Sequence, residues 1–237
     1  MPLFPRSSIA KKIFNGVTGA MLIGFIIIHL AGNLFLLTGN PYDFNSYAYK
    51  LHSFGPLLYV AEIALLLVFL GHIVSALGVW NDKRKARPSR YAVKGNAGGP
   101  SRKTFSSTTM IISGLLLLAF LIVHIITFRF GPGIEQGYVA TLDGEEVRDL
   151  YRLTIEFFQV PLNVGIYVAV MIFLGFHLRH GFWSIFQSLG GYHPRYTNLI
   201  HSFGILFALV MAVGFIAIPV WIYFNVDATA TALGGLL

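Results

Sequence analysis

The sequence predicts an all-α integral membrane protein, a bundle of five transmembrane helices in a single membrane domain over residues 1–237. Three observations carry that reading. The chain is 55% hydrophobic and only 11% charged, whereas a soluble domain carries about a quarter charged residues. The mean hydropathy is +0.69. Five apolar runs each reach the length of about 20 residues that a helix needs to cross a hydrocarbon core, and long runs of this kind point to helices rather than to a barrel.

The first span is expected over about Gly16–Leu37. Its apolar run exceeds the signal-peptide core of about 7–15 residues and no A-x-A site follows, so it reads as a retained helix. The connection PYDFNSYAYKLHSF then shows a stripe of Phe44, Tyr47, Leu51 and Phe54. The second span is expected over Leu57–Trp80 and the third over Ser107–Phe130. After the third comes GIEQGYVATLDGEEVRDLYRLTIEFF, which is acidic, with Val147, Leu150, Tyr151, Thr154 and Phe158 at helical spacing. Each of these two connections reads either as a helix lying flat at the membrane surface or as an ordinary loop with interfacial aromatics. The fourth span is expected over Val160–Phe186 and the fifth over Asn198–Phe224.

Charge orients the bundle. Arg6, Lys11 and Lys12 precede the first span, and the connection NDKRKARPSRYAVKGNAGGPSRK joins the second to the third. With Arg179 and Arg195 they place 13 of the 17 basic residues on one side. Only Lys50, Arg129, Arg148 and Arg152 fall on the other. Basic residues collect on the cytoplasmic side of membrane proteins, so the N-terminus is expected in the cytoplasm and the C-terminus outside it. The net charge of +7 is therefore expected on one face of a cell inner (cytoplasmic) membrane, facing lipid head groups or a partner, and does not signal a nucleic-acid binder.

With no cysteine in the chain, thiolate-held zinc, iron–sulfur clusters and covalent haem attachment are excluded. Histidine is the informative residue. His29, His72, His124 and His177 fall one in each of the first four spans. An unpartnered imidazole in hydrocarbon is costly. A single one is explained equally by an interhelical hydrogen bond or by function, but four, one per helix, sort by depth. At about 1.5 Å of rise per residue, His72 and His177 lie roughly 12–14 Å from the cytoplasmic ends, and His29 and His124 roughly 20–26 Å. Two imidazoles facing each other across a gap between helices suit a bis-histidine haem. Such a haem would be b-type, with each ring Nδ1–H expected to donate to the backbone carbonyl one turn earlier. Gly24, Ala31, Gly32, Gly71, Ser75, Ala76, Ala119, Gly175 and Gly181 are small enough nearby to admit a macrocycle or simply to pack helices. His180 competes with His177 for one ligand position, and His177 matches the depth of His72 better. Arg179 and His180 are candidates for a haem propionate, against simple snorkelling to water.

The stretches SSIAKKIFNGVTG at 7–19, HLAGNL at 29–34, and LGFHLRHGFWSIFQSLG at 174–190 followed by HPRY resemble the cytochrome b membrane subunit of succinate dehydrogenase and fumarate reductase. The nearest type is the single-polypeptide, five-helix, dihaem anchor, and the resemblance runs nearly end to end. It implies a distal haem on His29 and His124, a proximal haem on His72 and His177, and an iron–sulfur subunit docked on the cytoplasmic side beneath a flavoprotein subunit. It also implies electron transfer with menaquinone, while the dicarboxylate chemistry belongs to the flavoprotein. The implied quinone site lies on the outer side near the distal haem, with Asn45, Tyr49, His52 and Glu62 as candidates. Glu62, the one acid within the expected spans, reads either as a paired structural group or as a proton handler. The chain departs from one family member at Gly175, where a glutamate two residues before the fourth-helix ligand assists proton transfer. Two rival readings stay open: the cytochrome b anchor of another oxidoreductase, such as a hydrogenase or formate dehydrogenase, and a helical transporter or proton channel with a histidine relay.

Overall fold

A computed structural model describes residues 7–86, 105–191 and 193–226. It is mostly helical, and five of its helices are long and apolar enough to cross a membrane: Ser8–Thr38, Pro56–Lys85, Met110–Arg129, Pro161–Ser188 and Pro194–Asn225. In chain order, α1 spans Ser8–Asn33 and tightens into a 3-10 turn at Leu34–Thr38. Then α2 covers Pro41–His52, α3 Pro56–Lys85, α4 Phe105–Thr108 and α5 Met110–His124. A hairpin of β1 (Val139–Leu142) and β2 (Glu145–Arg148) precedes α6 (Leu150–Phe158), α7 (Pro161–Ser188) and α8 (Pro194–Asn225).

The helices start where local chemistry permits. Ser7 caps α1 by accepting from the Ala10 amide at 3.1 Å. Pro41, Pro56, Pro161 and Pro194 each open a helix, because proline's fixed φ suits the first turn and its missing N–H would be unpaired there anyway. This is why α8 begins at Pro194, ahead of the expected Asn198. α1 and α3 outrun the apolar segments that announce them for another reason: the polar first turns of α1 and the polar last turn of α3 are still helical.

The third span is not the unbroken helix expected over Ser107–Phe130. Thr108 and Thr109 both turn their hydroxyls onto the Phe105 carbonyl at 2.9 Å, competing with the backbone ladder and separating α4 from α5. At the other end His124 is followed by a π turn over Ile125–Arg129, closed by the Phe130 amide on the Ile125 carbonyl at 3.1 Å.

Contacts between helix ends fix the alternation of the bundle. Lys11 pairs with Asp82 at 2.8 Å, tying the start of α1 to the end of α3. Gly16 faces Ser188, so α7 ends beside them, and Gly39 faces Trp221, so α8 ends beside the end of α1. One end therefore carries Lys11, Lys12, Lys83, Arg84, Lys85 and Arg195, with Arg179 in the adjoining half of α7. We refer to it as the basic end. Arg6, Arg87, Arg90, Lys94, Arg102 and Lys103 lie outside the described residues.

The opposite end is closed by a cap. The segment with the Phe44 stripe is a helix, but its stripe divides: Phe44 is buried, whereas Leu51 and Phe54 are exposed. The second connection is helical only from Leu150. Val147, expected on that helix, lies on β2 opposite Ala140. The hairpin turns at Asp143 and Gly144, both at positive φ, the backbone that an Asp-Gly pair favours between antiparallel strands. Asn45 locks the cap together. It is buried, donates from Nδ2 to Asp149 at 2.9 Å, and accepts the Tyr151 amide at 2.9 Å. Arg148 ties the hairpin to the end of the third span through the carbonyls of Gly131 at 3.0 Å and Pro132 at 2.8 Å. The buried core gathers at this end, around Leu36, Phe44, Tyr151, Ile155, Phe158 and Ile222.

Candidate functional site

Four helices carry the four intramembrane histidines, and the fold brings the rings of His29 and His124 together. Their ring centroids are 5.8 Å apart and their planes nearly perpendicular. Aromatic rings surround this cap-end pair. Phe25, one turn before His29, stacks on it at 5.3 Å, and Phe120, one turn before His124, stacks on it at 5.5 Å. Phe128 and Phe215 close the sides. The phenol of Tyr167, on α7, lies 3.1 Å from His124 Nδ1. Asn33 donates to the His29 carbonyl at 2.7 Å, and its amide nitrogen lies 3.5 Å from His29 Nε2.

His72 on α3 and His177 on α7 lie in the halves of their helices nearer the basic end and form the second set. His72 Nδ1 lies 3.2 Å from the Thr18 hydroxyl of α1, and His177 Nδ1 lies 3.1 Å from the Ser113 hydroxyl of α5. The Nδ1 atoms of His72, His124 and His177 therefore meet hydroxyls from neighbouring helices, in place of the backbone carbonyl expected one turn earlier. Each arrangement leaves Nε2 as the nitrogen available to a metal.

The donor set discriminates among metals. Among the described residues no group of three or more His, Asp or Glu side chains gathers as a metal cage. Two neutral nitrogens per centre suit an iron whose remaining positions are filled by a macrocycle. A separation of 5.8 Å is one that a metal with two metal–nitrogen bonds of about 2 Å spans. His29 and His124 fit a bis-histidine haem on this test. The small residues contribute unevenly. A side chain at Gly24 or Gly181 would meet open space, whereas Gly32 is filled by Tyr47, Gly71 by Phe14 at 3.0 Å, and Gly175 by Ala212 at 3.1 Å. Ser75 is used in a hydrogen bond to Asn15 at 2.9 Å. Gly32 thus seats the cap helix rather than making room beside His29, and Gly175 lets α7 approach α8.

The other expected site residues are dispersed. His180, half-buried, sits among Lys83, Arg179 and His201, and His201 stacks on Trp183 at 3.8 Å. Of the four quinone candidates, Asn45 is turned inward to hold α6, and Tyr49 donates from its phenol to Glu145 on the hairpin. Glu62 takes Arg129 in a two-pronged ion pair at 2.8 and 3.1 Å. His52, the last residue of α2, is exposed. Three of the four are thus engaged with partners in the cap or at the end of the third span.

The sequence reading missed Thr18, Ser113, Tyr167 and Asn33. Part of the signal was present: Tyr167 and His124 lie at similar depths from the outer ends of their expected spans, whereas Thr18, two residues inside the expected start at Gly16, does not match the depth of His72. No family model matches the chain, and no curated protein or solved structure matches it either.

Proposed function

We propose that this chain is the dihaem cytochrome b membrane anchor of a succinate:quinone oxidoreductase, with its basic end and N-terminus in the cytoplasm. One observation carries the haem part of the reading. Four intramembrane imidazoles, one from each of four spans, form two sets, and His29 faces His124 at 5.8 Å with no third protein ligand among the described residues. His29 and His124 would hold one b haem, and His72 and His177 the other. When bound, the two haems supply one-electron transfer across the thickness of the bilayer. The chain's own part is to hold the ligands at two depths, exclude water with apolar walls, and present a basic face to its partners.

The choice of family rests on the motifs around His29 and His177 and on the five-span plan. On that reading an iron–sulfur subunit and a flavoprotein subunit assemble at the basic end, and menaquinone reacts at the cap end. Asn45 and Glu62 are already engaged in structural contacts, so His52, whose ring makes no hydrogen bond among the described residues, is the strongest of the four candidates for a quinone carbonyl. Replacing His52 by Ala should impair quinone turnover while both haem spectra survive.

A pyridine haemochrome assay on the purified chain tests the core of the proposal, with about two b haems per chain expected. A folded chain without haem sinks it. Co-purification of a flavoprotein and an iron–sulfur protein then separates this anchor from that of a hydrogenase or formate dehydrogenase.

A further inference from the structure

The basic-end histidines are met by the same device twice. Thr18-Gly19 on α1 faces His72, and Ser113-Gly114 on α5 faces His177. In each dipeptide the hydroxyl meets Nδ1. The glycine lies beside the ring edge, where a Cβ would stand at ordinary contact distance, 3.4 Å from His72 Cε1 or 3.6 Å from His177 Cε1. The two dipeptides stand on different helices and serve different histidines, so one local accident does not explain both.

The protons can be followed. A hydroxyl has one proton to donate, and a carbonyl oxygen only accepts. Thr18 Oγ1 lies 2.8 Å from the Phe14 carbonyl, and Ser113 Oγ lies 3.1 Å from the Met110 carbonyl. Each hydroxyl proton is therefore spent within its own helix. With the hydroxyl proton so directed, a lone pair faces each imidazole and Nδ1 takes the donor role; at His72 the Asn15 backbone of α1 is a further hydrogen-bond partner of the ring. A neutral imidazole that carries its proton on Nδ1 has its lone pair on Nε2. His124 is not constrained in this way. Among the described residues its partner, the Tyr167 phenol, has no other hydrogen bond, and can give or take the proton.

We infer that Thr18 and Ser113 are positioning residues that hold His72 and His177 in the metal-binding tautomer and thereby lower the reduction potential of the group bound between them. This rests on the dihaem reading. An acceptor on Nδ1–H raises the basicity of the ligand nitrogen, which favours oxidised iron. The cap-end centre lacks this fixed acceptor, so the device acts on one centre of the two.

Potentiometric titration of the b-haem absorbance in the purified full chain tests the assignment. Two components are expected in the unmodified protein. Thr18→Val and Ser113→Ala should each shift upward the component that is lost in His72→Ala, and leave the other in place. Thr18→Ser, which keeps the hydroxyl, should titrate as the unmodified chain does. Should Thr18→Val lose only that one haem while Thr18→Ser retains it, the positioning role stands, and Ser113→Ala reads the potential from the opposite helix. Unmoved midpoints with both haems present overturn the inference, as does a shift in the component lost with His124→Ala. Loss of both components from either variant assigns the hydroxyls to general folding and also overturns it. Failure of the dihaem reading itself appears earlier, as an unmodified chain without two b haems.

Discussion

The two histidine sets are held by different physics. At the basic end, direction does the holding: hydroxyls on neighbouring helices meet Nδ1 of His72 and His177. At the cap end, volume does it. His29 and His124 sit among Phe25, Phe120, Phe128, Phe215 and Tyr167, with one phenol hydrogen bond. Hydrogen bonds fix a proton and a ring angle, whereas aromatic packing fixes a place while leaving the proton less constrained. One bundle thus holds two sets of imidazoles, the same side chain with different freedom. Equal ligands therefore need not mean equal chemistry.

The largest effects break the pairing itself. Replacing His124 by Ala should abolish the same b-haem signal as replacing His29 by Ala and leave the other signal intact; His72 and His177 should behave likewise for the second. Low-temperature difference spectra of the four variants check this. A signal lost in common by His29→Ala and His72→Ala would mean that the sets are divided wrongly.

Next in size is the aromatic wall. Tyr167 is buried and packs on Phe120, Phe157 and Phe158 as well as meeting His124. Tyr167→Ala should cost about 3–5 kcal/mol, as for other large aromatic truncations, whereas Tyr167→Phe removes only the hydroxyl and should cost about 1 kcal/mol. Thermal denaturation in detergent, followed at the cap-end haem band, reads both. Similar losses from the two variants would show that the hydrogen bond, not the volume, holds this end, and would remove the contrast with the basic end.

How much of this was legible in the sequence follows from the range of each interaction. The five spans, their alternation and the two depths of histidine depend on run length and rise per residue, which one sequence carries. The hairpin at 139–148 was hidden because Val147 happens to continue the spacing of Leu150, Tyr151 and Thr154. The Asp143-Gly144 pair is itself a turn signal, and the reading of that segment did not use it. The roles of Gly32 and Gly175 were not legible, since a glycine in an apolar run looks the same whether it faces Tyr47, Ala212 or open space. Asn45 shows the limit most clearly. As an asparagine near a membrane surface it resembles a ligand group, and only its hydrogen bonds with Asp149 and Tyr151, more than a hundred residues away, reveal a structural pin.

That pin gives a smaller effect, confined to one end. Asn45→Ala leaves the buried Tyr151 amide unpaired and should cost about 1–3 kcal/mol. It should loosen α2 from α6, so limited proteolysis should cut the cap sooner while the thermal midpoint of the basic-end haem band stays in place. Equal destabilisation of both bands would mean that the cap and the bundle unfold as one unit, and the two ends could then not be perturbed separately.

The smallest effect is a pH dependence that only the cap should show. Glu156 on α6 accepts Tyr138 Oη at 2.6 Å and Arg152 Nε at 2.7 Å, and the Arg152 guanidinium lies 4.9 Å from the Tyr138 ring centroid. Burial alone would raise the Glu156 carboxyl. The hydrogen bonds from Tyr138 and Arg152, with the positive charge of Arg152, outweigh it and hold the carboxyl below its ordinary value of 4.5. A carboxyl depressed in the folded state contributes stability that is fully present above its unfolded value and lost as pH falls through the folded one. Acidification below 4.5 should therefore speed proteolysis of the cap, and Glu156→Gln should flatten that acid limb, because a neutral amide has no charge to lose. The side chains of Glu156 and Arg152 are about one-third exposed, so solvent screening keeps the effect modest. An acid limb of unchanged steepness in Glu156→Gln would assign it to other carboxylates of the cap, with Asp149, the partner of the Asn45 pin, the next to replace.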